Sequence, residues 1–280
     1  MRERGRGVAG LKRWQLGVAA LCLVCVLVPA IGQAQSVAPP RATAARHRIW
    51  VPAPRTTWQW QLTGTVNQSV SAKMFDIDLF DNSASVVAAL HRRGDHVICY
   101  LDAGTYENYR PDANQFPRSV LGKPNGWPGE RWLDIRQLSV LEPIMRARME
   151  LCKHKGFDGI EPDNIDGYEN DTGFPLTGAE QLTYNEWLAR TAHSMGLSVA
   201  LKNDVDQASQ LEPYFDFALD EQCFQYTECY KLRPFVAAHK AVFEVEYYLS
   251  TSSFCAKANA DGFMSMRKNI NLTAARQVCW

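Results

Sequence analysis

Two motifs that would point to other protein classes are missing from the sequence after its first 35 residues. There is no GxSxG nucleophile elbow, which argues against a serine hydrolase, and no glycine-rich phosphate loop, which argues against a doubly wound open sheet. None of the six histidines falls at the carboxyl end of a predicted strand. The acidic segments DID (76–78) and EPD (161–163) could bind a hard cation, but barrel metallohydrolases usually add histidine ligands. We therefore expect no metal and no cofactor.

The sequence also has no excess of basic residues, since 30 Lys and Arg balance 30 Asp and Glu. Five of the basic residues and only one acidic residue fall within the first 35 positions, so the rest of the chain is net negative. No basic stripe with interleaved aromatic residues is present. Nucleic acid is therefore not an expected partner.

The start of the chain has the pattern of a secretory signal peptide. Its basic residues precede the apolar run LGVAALCLVCVLVPAIG, which is followed by small residues. We expect residues 1–34 to be cleaved and the protein to be secreted, with no membrane attachment afterwards. An uncleaved anchor is the alternative, although the run is shorter than the ~20 residues that span a bilayer. Residues 35–56 hold four prolines and are predicted to be a linker, followed by a single monomeric domain over 57–280.

Cysteine usage fits an exported protein. Six of the eight cysteines lie beyond the apolar start, and an even number in an oxidising compartment favours disulfides over metal ligation. Six cysteines allow fifteen pairings, and the short loop CFQYTEC favours Cys223 with Cys229. The remaining four are then assigned as Cys255 with Cys279 and Cys99 with Cys152, although the sequence leaves this connectivity open.

Eight short apolar runs alternate with helical patterns after residue 56. The helical patterns include SASVVAALHRRG, LSVLEPIMRARMELCKHKG and TGAEQLTYNEWLARTAHSMG. Eight strands that alternate with helices predict an α/β fold of the (β/α)8 TIM-barrel type. The gap between the first two strands is too short for a helix, and a doubly wound open sheet is the alternative fold. The predicted strands are 57–62, 73–79, 96–102, 157–163, 197–203, 215–221, 241–247 and 262–268.

Acidic residues are concentrated at the carboxyl ends of these strands, where barrel enzymes hold their catalytic groups. Because strand side chains alternate in direction, Glu161 shares one face with Asp163, and Glu244 shares one with Glu246. Like charges gathered at one cleft are costly unless cations, hydrogen bonds or raised pKa values relieve the repulsion, so stability alone does not explain them. Paired carboxylates are the catalytic groups of glycoside hydrolases. The acidic strand ends are Asp76, Asp78, Asp102, Glu161, Asp163, Asp220, Glu221, Glu244 and Glu246.

Several long motifs in fixed order resemble glycoside hydrolase family 114, the endo-α-1,4-polygalactosaminidases. The similarity covers residues 58–280 and implies a secreted (β/α)8 barrel that hydrolyses α-1,4-linked galactosamine polymers. It also implies that Asp163 in IEPDN and Glu246 in VEY are the catalytic groups. The motifs are WQWQLTG, MFDIDLFD, VICYLDAGTYENYRPD, FDGIEPDNIDGY, ALKND, DFALDEQCFQYTEC and VFEVEY.

We expect Asp163 to act as nucleophile and Glu246 as acid/base, with retention if their carboxyl groups lie about 5 to 6 Å apart. The acidic cleft would attract a cationic aminosugar polymer. Aromatic residues near the strand ends, including Trp60, Tyr109 and Trp127, could stack on sugars or simply pack. The expected substrate-binding residues are Asp78, Tyr100, Asp102, Glu161, Asn164, Lys202, Asn203, Glu221, Glu244 and Tyr247.

Two other functions fit the same sequence features. One is a barrel that binds polysaccharide without cleaving it, which the presence of both Asp163 and Glu246 disfavours. The other is a hydrolase of a different α-linked glycan, because loops decide specificity on a shared fold.

Overall fold

The structure is a computed structural model that describes residues 49–280. The predicted signal peptide and most of the predicted linker lie outside these residues. Trp50 stacks on His96 with ring centroids 4.0 Å apart, and Pro52 is buried, so packing against the domain begins ahead of residue 57. Among the residues described, no helix is long and apolar enough to cross a membrane.

Strands and helices alternate along most of the described chain. The strands are β1 Trp58–Gln61, β2 Met74–Asp78, β3 His96–Asp102, β4 Thr105–Glu107, β5 Leu121–Pro124, β6 Glu130–Leu133, β7 Gly159–Asp163, β8 Ser198–Lys202, β9 Phe217–Glu221, β10 Val242–Glu246, β11 Met264–Arg267 and β12 Gln277–Val278. The helices are α1 Ala84–Arg92, α2 Leu138–Lys155, α3 Gly178–Ser194, α4 Ala208–Leu211, α5 Cys223–Tyr226, α6 Arg233–Ala237 and α7 Thr251–Asp261. Short 3₁₀ turns occur at Ala113–Gln115, Arg118–Val120, Gly167–Glu169, Val205–Gln207 and Cys229–Leu232.

Eight parallel strands form the barrel in the order β1-β2-β3-β7-β8-β9-β10-β11, with β12 antiparallel on β11. Each of the eight predicted strands is confirmed to within two residues at either end. The Trp58 indole N–H donates to the Met264 carbonyl at 2.8 Å and so links the first strand of the barrel to the last. The predicted TIM-barrel fold is therefore confirmed.

Side-chain alternation along the strands builds two apolar layers. One fills the barrel interior and includes Trp58, Ile98, Phe217 and Phe243. The other lies between the strands and the surrounding helices and contains most of the remaining buried apolar residues. The carboxyl ends of the strands meet at one end of the barrel, which we call the mouth. The layer that a strand residue faces decides whether its side chain can reach the mouth.

Helices α1, α2 and α3 lie where the three helical patterns predicted them. The Thr177 hydroxyl and the Glu180 carboxylate form a reciprocal capping box at the start of α3. Gly156 ends α2 with φ 92°, a left-handed conformation that favours glycine. No helix separates β1 from β2, as the short gap predicted.

A small antiparallel sheet, β4-β6-β5, is inserted between β3 and α2. The sequence analysis did not predict this inserted sheet. Its strands hold only three or four residues each, and β5 contains both Gly122 and Pro124, so no alternating pattern identifies them. The insertion follows the carboxyl end of β3 and therefore lies at the mouth.

All three predicted disulfides are confirmed. Cys99 of β3 is bonded to Cys152 of α2, with Cα atoms 6.0 Å apart. Cys223 is bonded to Cys229 across the short loop after β9. The third bond joins Cys255 of α7 to Cys279 and so anchors the end of the chain.

Candidate active site

A cleft of about 510 Å³ opens at the mouth of the barrel. Strand ends supply its floor, and the inserted sheet and the turn after β11 supply parts of its walls. This is the face on which barrel enzymes hold their catalytic side chains. Within residues 49–280, no group of three or more His, Cys, Asp or Glu side chains is arranged to hold a metal ion.

Asp163 and Glu221 face each other across Lys202 on the floor of the cleft. Each is the last residue of its strand, and the three strands β7, β8 and β9 are neighbours. Lys202 Nζ donates to Asp163 Oδ1 at 2.9 Å and to Glu221 Oε2 at 2.6 Å. These two oxygens are therefore at most about 5.5 Å apart, the sum of the two contacts, and this upper limit fits the short carboxylate spacing of retaining glycosidases.

Two tyrosine hydroxyls hold the other oxygens of this carboxylate pair. Tyr100 Oη donates to Asp163 Oδ2 at 2.8 Å, and Tyr247 Oη donates to Glu221 Oε1. The Asn164 backbone N–H also donates to Asp163 Oδ1, at 2.8 Å. Both carboxylates are therefore fixed in orientation before any ligand binds.

The charges around Lys202 decide the protonation of this group. Burial by itself would raise the pKa of Asp163, but the Lys202 charge and the hydrogen bonds from Lys202, Tyr100 and Asn164 hold that pKa below its ordinary value. Burial likewise favours a neutral Lys202, yet the charges of Asp163 and Glu221 raise its pKa well above the usual value. An ionised Asp163 beside a protonated Lys202 follows at neutral pH.

Glu161 lies beneath the cleft rather than in it, which corrects the expectation that it binds substrate. Its side chain is fully buried in the barrel interior, where Oε2 accepts the Trp60 indole N–H at 2.9 Å. Burial, followed by the charge of Asp76, raises the pKa of Glu161 well above its ordinary value. The carboxyl group therefore holds a proton in the interior and supports the floor of the cleft.

Glu244 and Glu246 point away from the cleft, which corrects two further expectations. Phe243 and Val245 occupy the barrel interior, so the glutamates that alternate with them face the helical layer. Both are fully buried, and Glu246 Oε1 accepts two backbone N–H groups at the start of α5, at 2.9 and 3.0 Å. Glu246 is therefore not in contact with the space where a substrate would bind.

Asp102 is also withdrawn from the cleft. Its Oδ1 accepts the backbone N–H of Thr105 at 2.7 Å, and its Oδ2 accepts the Asn164 side-chain amide at 2.9 Å. Asn164 has φ 59° and does line the cleft. A Cβ atom on Gly104 would lie 1.6 Å from the Asn164 carbonyl oxygen, so only glycine fits there. Asp102 thus shapes the cleft through Asn164 instead of binding substrate itself.

Asp78 and Asn203 line the cleft as expected. The Arg110 guanidinium contacts both Asp78 carboxylate oxygens, at 3.1 and 2.5 Å, so the charge of Asp78 is already compensated. Asn203 Oδ1 accepts the Glu221 backbone N–H at 3.1 Å. Asn203 therefore helps to position the end of β9.

The inserted sheet contributes cleft residues that the substrate-binding prediction omitted. Glu107 is buried and contacts Arg110 at 2.7 Å, while Glu130 accepts the Tyr109 hydroxyl at 2.8 Å. Trp127 is half exposed in the turn between β5 and β6. The dense acidic and aromatic content of TYENYR and WPGE was the available signal, but neither segment follows a predicted strand directly.

The sequence profile of glycoside-hydrolase family GH114 matches residues 39–280. The chain belongs to this family. It is a glycoside hydrolase, as the sequence motifs predicted. Among solved structures, Aspergillus fumigatus Ega3 in complex with galactosamine is 38% identical, with a TM-score of 0.79 over 83% of this chain and 98% of Ega3.

Two further proteins resemble this GH114 chain less closely, one in structure and one in sequence. The glycoside hydrolase domain of PelA from Pseudomonas aeruginosa is 11% identical, with a TM-score of 0.63 over 79% of this chain and 97% of that domain. That likeness supports the fold alone. An uncharacterized protein of Deinococcus radiodurans is 26% identical in an alignment 225 residues long that covers 68% of this chain and 71% of that protein.

Proposed function

We propose that this GH114 enzyme cleaves inside an α-1,4-linked galactosamine polymer, with Asp163 and Glu221 as its catalytic carboxylates. The observation that carries the proposal is the pair itself, bridged by Lys202 on the floor of the cleft. Glycoside hydrolysis requires two carboxyl groups on either side of one glycosidic bond. Glu246, which the family motifs suggested as the second group, faces the helical layer, so Glu221 takes its place.

The spacing of the pair supports a retaining mechanism. At about 5.5 Å or less there is no room for a water between carboxylate and sugar, so one carboxylate attacks the anomeric carbon directly. The bond to the leaving sugar breaks while the other carboxyl protonates the departing oxygen. A water molecule then gives a proton to this second carboxylate and attacks the anomeric carbon. The bond between the anomeric carbon and the first carboxylate breaks, and that carboxylate is released. Two inversions restore the α configuration.

Asp163 suits the role of nucleophile. Its lowered pKa, which Lys202, Tyr100 and the Asn164 backbone N–H maintain against burial, keeps it ionised and ready to attack. Glu221 faces the same space, with Tyr247 on its other oxygen, and is the group left to deliver and recover the proton.

The charge of the cleft supports a cationic substrate. Among the cleft-lining residues, the cations Arg110 and Lys202 are both bound to carboxylates. Asp81, Glu130 and Asp166 add negative charge at the rim, and burial raises the pKa of Asp166 only to about 6, which leaves it ionised at neutral pH. De-N-acetylated sugar units carry ammonium groups that such a cleft attracts. The family membership and the galactosamine bound to Ega3 favour galactosamine in particular.

Secretion is part of the same proposal. The basic and apolar start of the sequence supports a cleaved signal peptide, and three disulfides support an oxidising compartment. Mass spectrometry of material from the culture medium should find Met1 absent and the six remaining cysteines oxidised. Retention of Met1, or free thiols at Cys223 and Cys229, would contradict it.

The test of the proposed function is hydrolysis of a matched set of α-1,4-linked galactosamine oligomers, fully acetylated and fully de-N-acetylated. We expect cleavage at internal bonds of the de-N-acetylated oligomers, and NMR of the earliest products should show the α anomer. Initial products in the β configuration would refute retention. An enzyme inactive on every member of the set, but active on another α-linked glycan, would refute the substrate assignment.

A further inference from the structure

A second groove, of about 500 Å³, adjoins the catalytic cleft beside β11. The two share Tyr247 and Ile270 as lining residues, so the groove and the cleft adjoin at these side chains. Three of its lining side chains are cationic, namely Arg267, Lys268 and Arg276, and no carboxylate is among its lining residues. Its charge is therefore opposite to that of the cleft.

The three cationic side chains of this groove offer it hydrogen-bond donors. Within the described part of the chain, the Arg267 guanidinium has one hydrogen-bond partner, the Tyr247 carbonyl at 3.4 Å. Lys268 is 4% exposed, and its Nζ donates to the Thr273 carbonyl at 2.7 Å, which leaves further donors on the ammonium group. Arg276 is held by the backbone carbonyls of two neighbouring segments. The groove offers a ligand donors and positive charge.

A sugar unit that bears an ammonium group is a poor ligand for such a surface. The ammonium is itself a donor and a cation, so it would meet three like-charged side chains and no carboxylate, with only the amide oxygens of Asn269 and Gln277 as side-chain carbonyl acceptors. An N-acetyl group removes the charge and supplies a carbonyl acceptor. Its methyl group and the apolar face of the sugar have Ile270 and Tyr248 to pack on, which are 41% and 68% exposed.

We propose that the cationic groove of Arg267, Lys268 and Arg276 is a subsite for an N-acetylated sugar unit on the leaving-group side of the cleaved bond. The side follows from Tyr247, which lines the groove and donates its hydroxyl to Glu221, the proposed acid. This inference rests on the proposed function and narrows it. The preferred bond joins an ammonium-bearing unit in the acidic cleft to a stretch that carries acetyl groups.

The protonation of Lys268 agrees with this assignment. Burial, and then the charge of Arg276, lowers the pKa of Lys268 to about 7. The smaller of these two causes, the charge of Arg276, would also act against a cation that the substrate brings into the groove. A neutral acetamido group adds no such penalty.

The cleavage test uses α-1,4-linked galactosamine hexamers that carry one N-acetyl group at a defined position, with products sequenced by mass spectrometry. We expect kcat/KM to be about 10-fold higher when the acetylated unit lies on the leaving-group side than when it lies on the other side. Arg267→Glu should abolish that ratio. The matched control Arg190→Glu makes the same charge change on the exposed face of α3 and should preserve it.

A binding test separates this inference from the proposed function. Glu221→Gln enzyme is mixed with an N-acetylgalactosamine trisaccharide, and saturation transfer to the acetyl methyl protons is recorded by NMR. We expect saturation transfer to the methyl protons in the Glu221→Gln enzyme. Adding Arg267→Glu to this enzyme should abolish the transfer, and adding Arg190→Glu should leave it intact. Equal transfer or equal cleavage ratios in the two charge variants would overturn the groove assignment. If the enzyme cleaved none of the hexamers, that result would instead count against the proposed function.

Discussion

Lys202 holds the candidate catalytic group together. It is 1% exposed, and its ammonium group reaches both Asp163 and Glu221. A buried cation is stable only when its charge is compensated, and the carboxylates in turn depend on it. The two acids and the lysine therefore behave as one unit, in which a change at Lys202 alters the protonation of its partners.

Replacement of Lys202 by methionine should shift the acidic limb of the kcat/KM profile to higher pH. Lys202 lowers the pKa of Asp163, so its loss raises that pKa and removes the ionised nucleophile at mildly acidic pH. The measurement is kcat/KM from pH 4 to pH 8. Lys123→Met, which removes an exposed lysine paired with Asp171, serves as control and should leave the limb in place. An unmoved limb in Lys202→Met would contradict this role.

Glu221→Gln should lower kcat by about 10³-fold or more, because the amide can neither donate nor recover the proton. Glu246→Gln is the matched variant, and it should keep kcat within a few-fold, since Glu246 faces the helical layer and its remaining oxygen can still accept the N–H groups of α5. The measurement is the steady-state rate of each variant, with circular dichroism to check that both variants are folded. The reverse order of effects would return the catalytic role to Glu246.

Strand β10 explains why the two glutamates of VFEVEY are not in the cleft. Apolar and acidic residues alternate along it, and both faces of a barrel strand can be buried, one in the interior and one under the helices. A shift of one residue exchanges the faces. The pairing of Val245 with Glu221 and of Glu246 with Arg267 sets the register that turns Glu246 outward.

The inserted sheet raises one wall of the cleft and presents Trp127 to it. Trp127→Ala should raise KM about 3- to 10-fold with little change in kcat, because stacking of an aromatic ring on a sugar contributes on the order of 1 kcal/mol. Thermal stability should change little, since the side chain is half exposed. Tyr230→Ala, equally exposed but outside the cleft, is the control. An unchanged KM would exclude Trp127 from substrate binding.

The three disulfides should differ in their contribution to stability. They close chain loops of 53, 24 and 6 residues. In the chain-entropy account, longer loops restrict the unfolded state more, with values of about 4, 3.5 and 2 kcal/mol. Paired Cys→Ala variants measured by urea denaturation should lose stability in the order Cys99–Cys152, Cys255–Cys279, Cys223–Cys229. A largest loss at Cys223–Cys229 would contradict the loop-length account.

Several buried carboxyl groups form no ion pair with any residue of 49–280. Burial raises the pKa of Asp76, Glu161, Asp220 and Glu244 well above their ordinary values. Each group binds its proton more tightly in the folded chain, so its contribution to stability is fully present below about pH 4 and declines as the pH rises. Asp163, with its lowered pKa, changes its contribution only below about pH 4.

The free energy of unfolding should therefore be larger at pH 5 than at pH 7. The lowered pKa of Lys268, about 7, makes stability rise with pH only above about pH 7. Lys268 therefore does not affect the comparison between pH 5 and pH 7. Glu244→Gln should reduce the difference between the two pH values, because glutamine has no proton to lose. Urea denaturation of both proteins at each pH provides the measurement. A difference that Glu244→Gln leaves unchanged would exclude Glu244 as a contributor.

The sequence by itself determined the barrel, the eight strands, the short-loop pair Cys223 with Cys229, the family and the position of Asp163. These follow from local patterns, such as apolar runs, helix ends and motifs in a fixed order, that persist whichever way a strand faces. Tertiary structure alone decided that Glu221 and not Glu246 meets Asp163, because the face of a strand depends on its register with its neighbours. It also decided which acids keep their charge. That depends on the distance to Lys202, Arg110 and the solvent, which no spacing along the chain reveals.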